Sequence, residues 1–350
     1  MADQISVGLV GYGLAGRVFH APVIHSVPGL RLKKVVERHS DESRKRYPSI
    51  QVVHDISDLL RDEEIQLIVI ATPNTSHFDL ASQSLKANKH VVVEKPFTAT
   101  SAEAQQLIDL AREQGKLISV NQNRRWDGDF LTVKKLLERG LLGRLVEYES
   151  QFNRFRNVPA PNGWREKDEP GAGILFDLGS HLIDQAQVLF GLPQRITADI
   201  RAQRDFAKTD DNFELILHYE ALKVTLKAGM LVREQSPRFI LHGTRGSFVK
   251  YGLDPQEDAL KDGLIPSASN WGDEPKERWG RLFSEVGGLE HETQVETIAG
   301  CYQCFYQNIV DVINGRRELA VKPEEAKNTI RIIELAKESS AQRRTVDFPG

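Results

Sequence analysis

Residues Ile5 to Gly16 read ISVGLVGYGLAG, a β-branched apolar run closed by the pattern G-x-G-x-x-G at Gly11, Gly13 and Gly16. In a strand that ends in such a turn and opens a helix, each glycine has a physical task. Gly11 permits the tight turn, Gly13 lets the backbone approach a pyrophosphate, and Gly16 lets the helix pack closely on the strand. The phosphates then rest on the helix N-terminus, where free N–H groups and the dipole favour negative charge. Leu14 and Ala15 complete the turn as candidate cofactor contacts.

Alone, the hexapeptide is a weak signal, because glycine-rich turns also serve as plain connections. Its surroundings strengthen it. Further short apolar runs follow at Leu32 to Val36, Leu67 to Ala71, Val91 to Val93 and Leu117 to Val120. Helical patterns lie between them at about Gly16 to Val27, Ser76 to Ala87 and Ala102 to Gln114. This alternation is the signature of a parallel sheet, and right-handed crossovers make it a doubly wound Rossmann fold, expected over residues 1–123.

The pattern then changes. After a helix at about Phe130 to Arg139 come alternating strands at Leu145 to Phe155, Ile196 to Arg204, Phe213 to Tyr219, Val224 to Leu231, Arg238 to His242 and Ser247 to Tyr251. Strands in succession without intervening helices predict an antiparallel sheet. One helix interrupts them, Gly173 to Phe190, and the last helical pattern runs from Pro323 to Gln342. Residues Asp254 to His291 read as irregular. A second, α+β domain is therefore expected over residues 124–350.

Composition narrows the function. The 350 residues exceed what one core usually holds, and acidic and basic residues mix to a formal charge of −3 without forming runs. That pattern argues against nucleic acid and anionic lipid as partners and for a small, weakly charged substrate. Met1 leads almost directly into the first strand without a basic leader, and no apolar run approaches the roughly 20 residues of a membrane helix, so a cytoplasmic protein is expected. Cys301 and Cys304 have C-x-x-C spacing but lack the second pair of a zinc site, and read as two reduced packing cysteines with no role. No metal-ligand cluster is visible, and none is expected to be needed.

Chemistry gathers at the strand ends. Glu37 closes the second strand, where a carboxylate accepts hydrogen bonds from the adenosine ribose and repels the extra phosphate of NADP. Arg38, just behind it, suits a 2′-phosphate or stacks on adenine, which serves either cofactor. The balance favours NAD over NADP. Lys95 follows the fourth strand in Glu94-Lys95-Pro96, at the carboxyl edge where ligands bind in such sheets. In the helix sequence Asp177-Leu178-Gly179-Ser180-His181-Leu182-Ile183-Asp184, the spacing sets Asp177, His181 and Asp184 on one face among apolar neighbours. Such a triplet is either a satisfied buried His–Asp arrangement or a reaction site, and Lys95 tips the reading to the second. The cofactor set extends to Thr72, Pro73, Asn74 and His77 after the third run, and to Glu94, Lys95 and Asn123.

Through GYGLAG, EKP and DLGSHLID, the chain resembles the Gfo/Idh/MocA family of oxidoreductases nearly end to end. Within it the chain is most similar to the scyllo-inositol 2-dehydrogenase branch, through GYGLAG-x-V-F-H at Gly11 to His20, NRRWDGDFLT at Asn123 to Thr132 and YGLDPQEDAL at Tyr251 to Leu260. The resemblance implies a second domain built on an open antiparallel sheet, which binds substrate and pairs subunits through that sheet, as a homodimer or homotetramer. It implies a cis Lys95–Pro96 bond and a catalytic set of Lys95, Asp177 and His181. A dehydrogenase needs a base for the hydroxyl proton, and imidazole titrates near neutral pH, which suits His181. Lys95 would then hold the same oxygen while Asp177 positions substrate or imidazole. Arg124, Trp126, Trp164 and Arg165 are further candidate substrate contacts. The expected activity is hydride transfer between nicotinamide and a secondary alcohol of a cyclitol or sugar. A sugar- or nucleotide-sensing regulator and an NAD-dependent glycosidase of the same fold are the alternatives.

Overall fold

The computed structural model describes residues 4–159, 166–267 and 269–349, with backbone alone at Val286. The chain divides into two compact units. The first comprises Met1–Trp126, Gln256–Trp271 and Cys301–Lys327, and the second comprises Asp127–Pro255, Gly272–Gly300 and Asn328–Gly350. The expected boundary at 123 thus falls three residues before the first break, and two later stretches return to the first unit.

Six parallel strands build the first unit: β1 (Ile5–Val10), β2 (Leu30–Val36), β3 (Gln51–Val53), β4 (Ile65–Ile70), β5 (His90–Val93) and β6 (Ile118–Val120). They lie in the order β3-β2-β1-β4-β5-β6, the doubly wound arrangement in which β1 and β4 flank the point where strand order reverses. Helices on both faces explain why β1, β4 and β5 are nearly continuous apolar runs instead of alternating ones. Val7, Leu9, Leu67, Ile68, Val69, Ile70 and Val91 are fully buried. Each such side chain contributes roughly 1.5–3 kcal/mol. Only β3 had no counterpart in the sequence reading, because three residues are too few to show a period.

The late stretch of this unit enters through the helix Gln303–Ile313. Gly29 makes room for it, since a Cβ at Gly29 would meet Val310 Cγ1 at 2.7 Å. Across the start of that helix, Cys301 and Cys304 form a disulfide, which corrects the expectation of two reduced cysteines. The turn that starts the helix, with Cys304 N–H donating to Cys301 O, holds their Cα atoms 5.4 Å apart, inside the span a disulfide bridges.

Nine strands build the second unit: β7 (Leu145–Gln151), β8 (Arg195–Arg201), β9 (Asn212–His218), β10 (Lys223–Gly229), β11 (Phe239–Gly243), β12 (Gly246–Lys250), β13 (Gly280–Val286), β14 (Leu289–Val295) and β15 (Val346–Asp347). Their order is β14-β13-β12-β11-β7-β10-β9-β8-β15. Every pairing is antiparallel except β7 with β10. The sheet is therefore mixed and mostly antiparallel. β7 precedes the rest in the chain yet lies between β10 and β11, and no hairpin joins it to either, so no turn dictates the sense of that pair.

The region expected to be irregular holds a short helix, Gln256–Lys261, and the hairpin β13–β14, whose second strand runs past it to Val295. The two-residue turn of the hairpin is Gly287-Gly288, with φ of +62° and +82°, a conformation glycine adopts without strain.

Candidate functional site

In the first unit, the turn after β1 has the form its glycines require. Gly11 has φ of +95° and lies so close to β4 that a Cβ would stand 2.9 Å from Ala71 O. A Cβ on Gly16 would stand 2.1 Å from Gly11 O, so helix and strand meet without space for a side chain. A Cβ on Gly13 would meet nothing within 4 Å, which makes this the open side of the turn, the cradle a side chain would fill. Leu14 is half exposed, and Ala15 begins a π-helical turn, Ala15–His20, that continues as the helix Ala21–Ser26. Two polar atoms near the carboxyl ends of these strands, Tyr12 Oη and Gln122 Oε1, are buried with no hydrogen-bond partner among the described residues. An open cradle and unmet polar atoms fit a dinucleotide. Sequence reading missed both residues; the tyrosine lies inside the glycine motif, and only its burial singles it out.

At the end of β2, Glu37 is 4% exposed and its carboxylate is engaged by its own loop. Oε1 accepts the Ser43 N–H at 2.8 Å, and Oε2 accepts the Glu42 N–H at 3.1 Å and the Ser40 hydroxyl. Burial alone would raise the Glu37 pKa, but these donors outweigh it and hold the pKa below the usual range. Three donors of its own loop thus occupy most of the acceptor positions of the group expected to receive a ribose. Arg38, His39 and Ser40 beside it are exposed.

After β4, Ser76 Oγ donates to Thr72 Oγ1 at 2.7 Å and lies 2.8 Å from Pro73 O. Asn74 is buried. His77 is 1% exposed, with Nδ1 2.9 Å from Pro96 O and Nε2 3.0 Å from Thr72 O, and burial pushes its pKa down. Its ring therefore ties the loop after β4 to the loop after β5. The Lys95–Pro96 bond is cis, as the resemblance implied. Glu94 is buried and accepts hydrogen bonds from His20 Nε2 at 3.0 Å and from Asn121 Nδ2 at 2.9 Å.

After β6, Asn123 opens a short 3₁₀ turn that carries Arg124 and Trp126. Arg124 pairs with Glu257 of the stretch Gln256–Trp271. Burial would raise the Glu257 pKa, but Arg124 and Lys261 pull it down to about 2. Trp126 packs edge-on against Phe305, with centroids 5.7 Å apart, and its carbonyl accepts the Cys301 N–H.

The second unit holds Asp177, His181 and Asp184 on one helical segment, 7%, 4% and 1% exposed. The segment begins with a π-helical turn, Leu175–Gly179, and proceeds as the α-helix Ser180–Phe190. π-helical turns of this kind occur often at functional sites. Gly173, with φ of +93°, aims the segment, and the Asp210 carboxylate caps it by accepting the Leu175 N–H at 2.7 Å. Burial raises the Asp210 pKa. Local sequence could not reveal this cap, because Asp210 lies 35 residues away. Trp164 and Arg165 lie outside the described residues. Among the described residues, no group of three or more His, Cys, Asp or Glu is placed to hold a metal, and no helix is long and apolar enough to cross a membrane.

A parallel sheet with an open glycine cradle and a second unit carrying a buried Asp–His segment define a two-domain nucleotide-binding oxidoreductase. Residues 5–122 match the family model for the NAD-binding Rossmann fold of the Gfo/Idh/MocA oxidoreductases, and residues 134–348 match its C-terminal α/β domain. The chain belongs to this family and is an NAD(P)-dependent oxidoreductase. It is 41% identical to the scyllo-inositol 2-dehydrogenase (NADP(+)) IolW of Bacillus subtilis, over 98% of this chain and 96% of that one. It is 44% identical to the oxidoreductase YdgJ of Escherichia coli, over 99% of each. The solved structure of Bacillus subtilis yvaA superposes with a TM-score of 0.97 at 40% identity, covering 100% of this chain and 99% of that one.

Proposed function

We propose that the protein interconverts a cyclitol of the scyllo-inositol type, or a closely related sugar, with its ketone. The observation that carries this reading is the end-to-end 41% identity with a relative named as a scyllo-inositol 2-dehydrogenase. The nicotinamide, when bound, accepts or returns the hydride. The protein's part falls to Lys95, Asp177 and His181. His181 takes the substrate hydroxyl proton, Lys95 Nζ donates a hydrogen bond to the same oxygen as its charge develops, and Asp177 orients the imidazole or the substrate. Gly11, Gly13, Leu14, Ala15 and Gly16 hold the dinucleotide, with Thr72, Pro73 and Asn74 after β4 and Asn123 after β6.

We infer NADP(H) as the preferred cofactor. The residue type at 37 argues for NAD, but a carboxylate already bound by three donors of its own loop is a poor ribose acceptor, which leaves exposed Arg38 to receive a 2′-phosphate. We further propose a cytoplasmic homodimer or homotetramer that pairs through the sheet of the second unit.

The deciding experiment follows reduced-nicotinamide absorbance with both cofactors across inositols, inososes and aldoses. Reduction of NADP by a cyclitol is the expected result. Failure on the whole panel would overturn the reading in favour of a sensor, and glycoside cleavage without net reduction would point to an NAD-dependent glycosidase.

A further inference from the structure

Three elements of the first unit bring a chain of polar side chains to the residue just before Lys95. His20, at the end of the π-helical turn, is fully buried, with Nδ1 2.6 Å from Tyr306 Oη and Nε2 3.0 Å from Glu94 Oε1. Tyr306, 1% exposed, comes from the helix Gln303–Ile313, and Asn121, which also donates to Glu94 Oε1, stands beside the end of β6. Burial would raise the Glu94 pKa, but His20, Lys95 and Asn121 together lower it, so the group is a carboxylate and accepts only. His20 Nε2 must then carry a proton. In a neutral ring Nδ1 is the acceptor, and Tyr306 is its donor, since burial raises the tyrosine pKa well above its ordinary value and keeps the hydroxyl protonated.

We propose that Tyr306 and His20 are positioning residues for the reaction: the directed chain Tyr306 O–H to His20 to Glu94 locks an ionised carboxylate next to Lys95 and so fixes the local charge in which the lysine works. This rests on the dehydrogenase reading. The carboxylate at the end of this chain stands adjacent in sequence to the candidate catalytic lysine, and Lys95 is among the charges that act on it. Buried polar chains of this kind polarise along their length, and a missing member costs most where the remaining group is charged.

Two measurements test it. Nitrogen-15 NMR of the full-length protein should show His20 Nε2 protonated against the Glu94 carboxylate. A ring protonated at Nδ1 instead would require a protonated Glu94 and would overturn the proposal without reference to any substrate. In kinetics, His20→Ala should lower kcat about 10- to 100-fold, the loss expected for one hydrogen bond to a charged group, with KM and NADPH affinity within about twofold. His20→Gln, whose amide can still donate to Glu94, should recover most of that loss, and the near-isosteric Tyr306→Phe should give an intermediate kcat while Nε2, still facing the Glu94 carboxylate, keeps its proton. Gln as poor as Ala, or equal losses in KM and cofactor affinity, would mean that the ring only fills space. If the unmodified protein turns over no member of the panel, the function reading fails while the tautomer still reports on the chain.

Discussion

Ser43 N–H donates to Glu37 Oε1 at 2.8 Å, so the carboxylate that closes β2 caps the next helix, Glu42–Arg46, from six residues upstream. The bond gives Glu37 a structural task. Glu37→Ala should destabilise the protein by about 1–2 kcal/mol, as loss of a helix cap does, while the ratio of kcat/KM for NADP and NAD stays within about threefold. Arg38→Ala should lower kcat/KM for NADP by about tenfold or more and leave NAD nearly untouched, a loss typical of a charge-assisted phosphate contact. A selective gain in NADP use on removing Glu37 would show that the acid does discriminate.

Replacing the proposed base tests the chemistry. His181→Ala should reduce turnover by about 10²- to 10⁴-fold with cofactor binding intact, and Lys95→Met should be similarly severe. Steady-state rates together with fluorescence titration of NADPH would check both, and near-normal turnover in folded variants would favour a sensing role.

The last two glycines of the turn should behave oppositely. Gly16→Ala drives a Cβ to within 2.1 Å of Gly11 O and should cost stability outright, by about 1–3 kcal/mol as overpacking does. Gly13→Val meets no protein atom at its Cβ, so the melting temperature should hold while NADPH affinity falls. Thermal melts with and without cofactor separate the two.

Glu257 makes a prediction about pH. Its pKa falls from the ordinary 4.5 to about 2 in the folded protein, so the Arg124–Glu257–Lys261 cluster stabilises the fold above about pH 5, and the contribution is lost as pH falls toward 2. Glu257→Gln should therefore cost about 1–3 kcal/mol at pH 7, and the gap to the unmodified protein should narrow at pH 4. Denaturant titrations at the two pH values read it directly, and a constant gap would assign the effect to packing.

The parallel sheet was legible because strand, glycine turn and helix are written in consecutive residues. The Asp177-to-Asp184 segment was legible for the same reason. What escaped was non-local or unpatterned. β13 and β14 carry a Gly287-Gly288 hairpin signal, but β14 is exposed along nearly its whole length and shows no apolar alternation, so the turn was passed over. The Arg124–Glu257 and His20–Tyr306 pairs span 133 and 286 residues, and no local period records such contacts. His77 is a candidate cofactor contact by its position after β4, and the two backbone carbonyls that its ring nitrogens face, at Thr72 and Pro96, could not be read from spacing.

The three-stretch composition of the first unit bears on how the chain is born. Trp126 emerges from the ribosome long before Tyr306 and Val310, the residues that reach His20 and cover Gly29. At about 5–20 residues per second the delay is roughly ten to forty seconds. Throughout that interval the nascent Rossmann sheet waits with one flank of its core uncovered, a target for holding chaperones that a contiguous domain would already have hidden.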